Sequence, residues 1–481
     1  MSSPIFWKDL PQPKSNWLTG NMSEFQDENK HLILEQWAAE SGECFKIRLV
    51  NQWFIVSTNE KMNAEILKLR PRFFRRFHKI DQVVGEMGLT GVFTAEGEPW
   101  RKQRRLTVQA LNMKSVKSYF PVLEKITQRL MDRWAKQDPQ KPIDLQKEMM
   151  RFTIDITTII AFGHDSNTLE DTDDVIQQYL QHIFPMINER ITSPLPFWKI
   201  YKQGKDRQLD KAVKELKIYI DGLIRKTKHL MEHEPERCEH PQNFLENLIA
   251  QQMVKAEMTE EEVFGNVFTM LLAGEDTTSN TISWTIFELL KSPDDLQKLV
   301  HEIDQTLGKE TQPVSMEQID QMPYLNAVIQ ESLRVMPVTP NLYMEALEEV
   351  TVEGLTIPKG MTVMMQNKVA NTSDTYFTDA KAFRPVRWLG TCPYHSTHDP
   401  SVIKTFGAGA RFCPGKQLAI YEIGMALVAI LKNFEIGLAV PAEAVTERFA
   451  FTVFPENLMI YLEKREPISL ISQQQSDTVE G

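Results

Sequence analysis

The stretch Phe406-Gly-Ala-Gly-Ala-Arg-Phe-Cys413-Pro-Gly415 holds one cysteine in a loop punctuated by Gly407, Gly409 and Gly415, with Arg411 two residues ahead of it. From Lys416 to Phe434 apolar residues recur at helical spacing, among them Leu418, Ile423, Leu427 and Leu431. A thiolate at Cys413 would sit near a helix N-terminus, where the helix dipole and free backbone N–H groups favour negative charge. That is a place for a stable cysteinate ligand. Cysteine and glycine alone also allow a buried free thiol on a tight turn.

A second constellation interrupts a long apolar segment. Thr259-Glu-Glu-Glu262 is a capping box that opens a helix, and Ser292-Pro293 opens the next one. Between them stands Gly274-Glu-Asp-Thr-Thr-Ser-Asn-Thr281. Glycine in a helix interior costs about 1 kcal/mol relative to alanine, and Asp, Thr and Asn are poor helix formers. Eight such residues cannot all reach solvent from a buried helix, so the sequence predicts either a kink held by water or a polar site. Two further groups are Glu331-Ser-Leu-Arg334, opposite charges one helical turn apart, and Trp100-Arg-Lys-Gln-Arg104.

Taken together these segments resemble the cytochrome P-450 family. The cysteine loop fills all five fixed positions of Phe-x-x-Gly-x-Arg-x-Cys-x-Gly with Phe406, Gly409, Arg411, Cys413 and Gly415. The resemblance implies haem b (iron protoporphyrin IX) with Cys413 as axial cysteinate, a ligand that pushes electron density towards O–O cleavage. It also implies that Phe406 shields the sulfur, Gly409 lets the loop turn, Arg411 reaches a haem propionate and Gly415 admits a close backbone approach. Ala273-Gly-Glu-Asp276-Thr277 resembles the family's oxygen-activation motif. There Asp276 would be the proton conduit and Thr277 the hydroxyl that orders water, while Gly274 leaves room for oxygen and Ala273 borders the substrate. Glu331 and Arg334 resemble the Glu-x-x-Arg helix, with Arg387 in Phe383-Arg-Pro-Val-Arg387-Trp388 completing a buried structural cluster. Trp100 and Arg104 would meet a propionate. One departure stands out: Pro340-Asn-Leu-Tyr-Met344 ends in methionine where many relatives carry an arginine, which puts one propionate contact in doubt.

The elements that must position these residues read as mainly α with small β-sheets, and the resemblance implies a triangular helical domain with a β-rich region. Helical patterns dominate from Glu60 to about Glu234, with breaks at Arg70-Pro71, Pro99, Gln137–Pro142 and Thr192–Trp198. Strands are predicted over Cys44–Ser57, Glu349–Ala370 and Phe449–Leu462, the last as a hairpin with Pro455-Glu-Asn457 at its tip. No Pro- or Gly-rich linker divides the 481 residues, so one domain over 1–471 is expected, with a polar disordered tail over 472–481.

A net charge of −11 argues against nonspecific nucleic-acid binding. Cys44, Cys238, Cys392 and Cys413 are too few and scattered for a disulfide framework, which points to a reducing, cytoplasmic setting. Met1 to Lys30 has no apolar run fit for a signal peptide or a transmembrane anchor. His233, Cys238 and His240, and likewise Cys392, His395 and His398, lack four-ligand zinc spacing.

The expected activity is that of a monooxygenase acting on O2 and a lipophilic small molecule. Leu89–Phe93, Ala273, Val338–Thr339 and Val453–Phe454 fall where the family lines its pocket, and Pro194-Leu-Pro-Phe197-Trp198 reads as an apolar lip or as core. The chain ends soon after its last strands, so electrons are expected from a separate ferredoxin or flavodoxin and its NAD(P)H reductase. The docking patch would be Arg101, Lys102, Arg105, Lys114, Lys117, Lys404 and Lys416, unless these are ordinary solvated side chains. A haem-thiolate sensor without turnover and a peroxide-dependent enzyme of the same fold are the alternatives, and the Asp276–Thr277 pair speaks against both.

Overall fold

The structure is a computed structural model that describes residues 5–25, 29–170, 175–193, 195–255, 257–390 and 398–465. Pro194, Cys392, His395 and the tail from residue 472 lie outside the described residues. The architecture is mainly helical with several small sheets. Among the described residues no helix is long and apolar enough to cross a membrane.

Helix starts follow local capping chemistry. Asn59, Asn112 and Asp144 each accept a hydrogen bond from a backbone N–H three residues on. Thr259 and Glu262 close a reciprocal capping box, with Glu262 N–H donating to Thr259 Oγ1 (3.2 Å) and Thr259 N–H to Glu262 Oε2 (2.9 Å). From there the central helix, Glu260–Lys291, runs 32 residues without a break, about 48 Å at 1.5 Å per residue.

The polar stretch inside it does not interrupt the helix, and two features accommodate it. Its hydroxyls bond back to carbonyls one turn earlier: Thr277 Oγ1 to Ala273 O (2.8 Å), Thr281 Oγ1 to Thr277 O (2.7 Å) and Thr285 Oγ1 to Thr281 O (2.7 Å). It also lies at the seam between two hydrophobic clusters. Val263 to Leu272 belong to one, with the helices Val175–Thr192, Gly204–His233 and Phe244–Lys255. Ile282 to Leu289 belong to the other, with the scaffold helix Pro323–Val335 and the proximal helix Lys416–Asn433. Tyr421 to Leu431 of the proximal helix are buried on every side, as suits a helix at the centre of a large core.

The largest sheet has five strands in the order Cys44–Leu49, Gln52–Ser57, Thr362–Gln366, Asn341–Ala346, Phe74–Arg76. Its last two strands were not expected from the sequence; Arg76 on one lies opposite Met344 on the other. The late hairpin also differs from expectation. Thr446–Phe449 pairs with Val453–Glu456 around a turn at Ala450–Thr452, and Pro455 sits within the strand opposite Glu447. Asn457 then takes a positive φ of 65°, and Met459–Lys464 leaves to pair with Phe434–Leu438. An edge strand tolerates the missing N–H of Pro455, so proline marks the strand here and the turn comes earlier.

Candidate active site

From Leu271 to Leu289 only Ala273, Gly274 and Thr277 are not buried. Spaced i, i+1 and i+4, they share one face of the central helix, which therefore borders a hollow. Gly274 also serves packing, since an added Cβ would come within 3.1 Å of Thr157 Oγ1 on the neighbouring helix Leu145–Phe162.

Asp276 points away from that hollow into a closed polar network. Its Oδ2 accepts from Thr452 Oγ1 (2.6 Å) and its Oδ1 from Asn280 Nδ2 (3.0 Å). Asn280 Nδ2 also donates to Thr452 Oγ1 (2.9 Å), and its Oδ1 accepts from Gln146 Nε2 (3.2 Å). Burial lifts the carboxyl pKa to about 6, against the donors Thr452 and Asn280, which pull it down. An acid poised there exchanges protons near neutral pH. Thr452 is fully buried at the turn of the late hairpin.

The cysteine loop is shaped by its neighbours. Gly409 has φ +67°, and a Cβ on it would meet Leu67 O at 2.6 Å, so both conformation and space require glycine. Cys413 N–H donates to Phe406 O (2.8 Å), and Lys416 Nζ stands 5.5 Å from the Phe406 ring centre. No protein atom demands glycine at 415, where a Cβ would lie an ordinary 3.9 Å from Cys413 Sγ. Burial pushes the Cys413 thiol up, and the N–H groups of Gly415 and Lys416 with the charges of Arg104 and Lys416 only partly offset it. The helix end alone does not secure a thiolate, because desolvation outweighs it; a coordinated metal ion does so outright.

The loop hangs from a buried ionic frame. Arg334 donates to Glu331 through Nε (2.9 Å, Oε2) and Nη2 (2.7 Å, Oε1), and Arg387 Nε adds 2.8 Å to Oε1. Trp388 Nε1 and Arg384 N–H also donate to this carboxylate. Burial favours the neutral acid, but these donors and charges hold Glu331 below the ordinary carboxylate range. Arg334 and Arg387 turn their other N–H groups to carbonyls of Asn371, Thr378, Asp379, Ala380 and Ala382, and Arg387 Nη1 also meets His398 Nε2 at 3.1 Å. Thr405 Oγ1, just before the cysteine loop, donates to Leu333 O (3.0 Å) and ties the loop to the scaffold helix.

Beside the loop lies a crowd of cations. Arg411 donates to Ala95 O (2.7 Å) and pairs with Glu96, its guanidinium 4.3 Å over the Trp100 ring. Burial first, then Arg70, pushes Arg411 down to about 9. Arg70 takes the other Glu96 oxygen at 2.9 Å. Arg104 donates to Phe412 O (2.7 Å) and lies over its ring. Glu96 is thus outnumbered, and the Nε atoms of Arg70, Arg76 and Arg411 are buried without hydrogen-bond partners. Such a set fits a bound group that carries carboxylates. The two carboxylates of haem would meet that need, so the residues present fit the group that the cysteine loop implies.

Phe93 and the late hairpin meet, and the hairpin is tied to Val338, the residue before Thr339. Phe93 stands 6.1 Å from Phe451, which stacks at 5.5 Å on Phe184, and Val453 N–H donates to Val338 O (2.8 Å). Leu89–Phe93 docks on the central helix where Gly91 and Gly265 cross: a Cβ at 265 would lie 1.8 Å from Thr90 O. Sequence reading gave no site role to Thr452, Phe451, Glu96, Arg70 or Arg76; only the polar run around Asn280 hinted at a network.

Two expectations are revised. Arg101, Lys102, Arg105, Lys117 and Lys404 each pair with a carboxylate, Lys404 with a side chain only 14% exposed. An open positive patch is therefore reduced to Lys114 and Lys416, which form no ion pair among the described residues. Trp198 donates to Glu86 (3.0 Å), while Leu195 and Phe197 are exposed, so that segment is surface. Among the described residues no group of three His, Cys, Asp or Glu side chains could hold a metal ion.

Comparison with known proteins agrees. The bifunctional cytochrome P-450/NADPH–P-450 reductase 2 of Bacillus subtilis (strain 168) is 28% identical over 475 residues, covering 96% of this chain and 43% of that protein. The cytochrome P-450 monooxygenase sphH of Aspergillus fumigatus is 26% identical, covering 94% of this chain and 87% of its own. LUTEIN DEFICIENT 5, chloroplastic, of Arabidopsis thaliana is 24% identical over 96% of this chain and 79% of its own. The chain spans less than half the length of the bifunctional Bacillus relatives it matches. The family model described as cytochrome P-450 covers residues 10–460, and with the cysteine loop, ionic frame and central helix as found, this chain belongs to that family of haem-thiolate oxidoreductases.

Proposed function

We propose that this chain is a monooxygenase that inserts one atom of O2 into a lipophilic small molecule and reduces the other to water. The observation that carries this reading is the Asp276–Thr277 pair, with Thr277 on the open face of the central helix and Asp276 buried at a pKa of about 6. Cys413 would hold haem iron, with Arg411, Arg104 and Trp100 on the side that carries its carboxylates. When bound, haem supplies the activation of O2 that no side chain can perform.

The chain's own residues do the rest. Asp276 takes up a proton at Oδ2 and keeps its bond to Thr452, because a hydroxyl can accept as well as donate. Thr277 orders water on the open face beside Ala273 and Gly274. Phe93, Phe451 and Phe184 offer aromatic walls to an apolar substrate, with Thr339 beside the hairpin. Electrons come from a ferredoxin or flavodoxin with its NAD(P)H reductase, in a reducing compartment such as the cytoplasm; Lys114, Lys416 and the half-exposed Phe412 mark the docking side.

The absorption spectrum of the dithionite-reduced protein with carbon monoxide tests the site. A strongly red-shifted Soret band in wild type, absent in Cys413→Ala, is expected; no haem, or a band unchanged in the variant, refutes the reading. Thr277→Ala should consume electrons and release peroxide with little product. Unchanged coupling would remove Thr277 from the mechanism and favour the sensor or peroxide-dependent alternatives.

A further inference from the structure

The helix Gly204–His233 runs 30 residues and carries two histidines one turn apart at its end, His229 and His233. A spacing of i, i+4 sets both side chains on one face. Their ring centres stand 4.2 Å apart, tilted at 58°, and both residues are exposed. His233 Nδ1 lies 2.8 Å from His229 O. A carbonyl only accepts, so Nδ1 carries the proton and Nε2 of the neutral ring keeps its lone pair. An Nδ1–H tied to a backbone carbonyl is the support that fixes a metal-ligating imidazole. A tetrahedral ion held about 2.0–2.1 Å from two ring nitrogens sets those nitrogens about 3.3 Å apart. Rings this close reach that separation by side-chain rotation alone. Glu232 is exposed, shares the face three residues after His229, and makes no ion pair among the described residues. The carbonyl end of a helix also favours a cation, yet the only basic residue in the last turn is His233.

We propose that His229 and His233 form a peripheral site for a divalent transition-metal ion of the zinc type. Imidazole nitrogens suit such ions, whereas magnesium and calcium take oxygen ligands. Two protein nitrogens with water in the remaining positions make an open site, unlike the closed four-ligand kind. The ion clamps the last helical turn and adds positive charge at the carbonyl end. Nothing in this site depends on haem or on the activity proposed above.

The experiment uses untagged, haem-loaded protein freed of metal by a chelator and then dialysed. Zn2+ is titrated by calorimetry, and Cu2+ by electron paramagnetic resonance, into wild type, His229→Asn, His233→Asn, the double variant and Cys238→Ala. One tight equivalent of zinc is expected in wild type and in Cys238→Ala. Each single histidine variant should lose more than the about ten- to hundredfold that removing a ligand's supporting group costs. The copper spectrum should show two nitrogen donors, and excess Mg2+ should displace nothing. An unchanged Soret spectrum shows that each variant keeps its fold, as suits exposed positions. No zinc uptake by wild type, equal uptake by the double variant, or uptake lost in Cys238→Ala while the histidine variants keep it, would overturn the proposal.

Discussion

Replacing Thr452 by valine removes one hydroxyl from the Asp276 network and leaves the shape of the side chain nearly unchanged. Thr452 Oγ1 donates to Asp276 Oδ2 at 2.6 Å in a fully buried setting. A hydrogen bond to a charged group contributes about 1.5–3 kcal/mol. At about 1.36 kcal/mol per pKa unit, its loss should raise the Asp276 pKa from about 6 by about 1–2 units. Asn280 keeps its own bond and limits the rise. Infrared difference spectra of wild type and Thr452→Val, each referred to its Asp276→Asn counterpart, follow the carboxyl stretch through the titration.

Stability gives an independent reading of the same number. The folded pKa of Asp276 is raised above its unfolded value of about 3.9, so the native protein loses stability as pH rises from that value through the folded pKa. In Thr452→Val the loss continues to a higher pH. The two proteins should therefore differ least below about pH 5, and the gap should widen by about 1.5–3 kcal/mol by about pH 8–9. Urea unfolding at both ends of this range measures it. A titration unmoved by the substitution, or a stability gap that does not depend on pH, would show that Thr452 does not set the state of Asp276.

Three other outcomes follow from the same geometry. Glu331→Gln leaves Arg334 and Arg387 buried beside a neutral partner; it should cost about 3–5 kcal/mol and yield protein poor in haem, read by urea unfolding and the haem-to-protein ratio. Gly265→Ala places a methyl 1.8 Å from Thr90 O and should cost about 1–3 kcal/mol, whereas Gly222→Ala, with open space around it, should gain up to about 1 kcal/mol; thermal unfolding of the pair compares them. Phe451→Ala removes the ring between Phe93 and Phe184 and should admit bulkier ligands, seen as stronger ligand-induced Soret shifts for larger apolar molecules than in wild type.

What the sequence made legible was whatever lies within one element. Cys413 and its glycines, Asp276 with Thr277, and Glu331 with Arg334 each occupy a short pattern whose spacing is fixed by a single helix or loop. Residues brought in by tertiary contact left no such trace. Thr452 stands 176 positions from Asp276 in a turn that reads as strand, because Phe451 and Val453 flank it with apolar side chains. Glu96 and Arg76 are ordinary charged residues until a sheet edge and a helix start place them around Arg411. The strand holding Arg76 is three residues long, too short to show alternation. The Gly274–Thr281 run was visible, but the helix running on through it was not, since its hydroxyls are satisfied by their own helix and two cores meet there.

That back-bonding gives the open face of the central helix a direction. A hydroxyl has one proton, and Thr277 has given its own to Ala273 O. Towards the hollow it presents lone pairs alone. Any water settling there must turn an O–H to Thr277 and aim its own lone pairs or second proton elsewhere, so the site is polarised before a substrate arrives. Serine would allow the same donation but lacks the methyl that stiffens χ1, and valine would erase the polarity altogether. The helix thus sets which way a proton chain can run across this face.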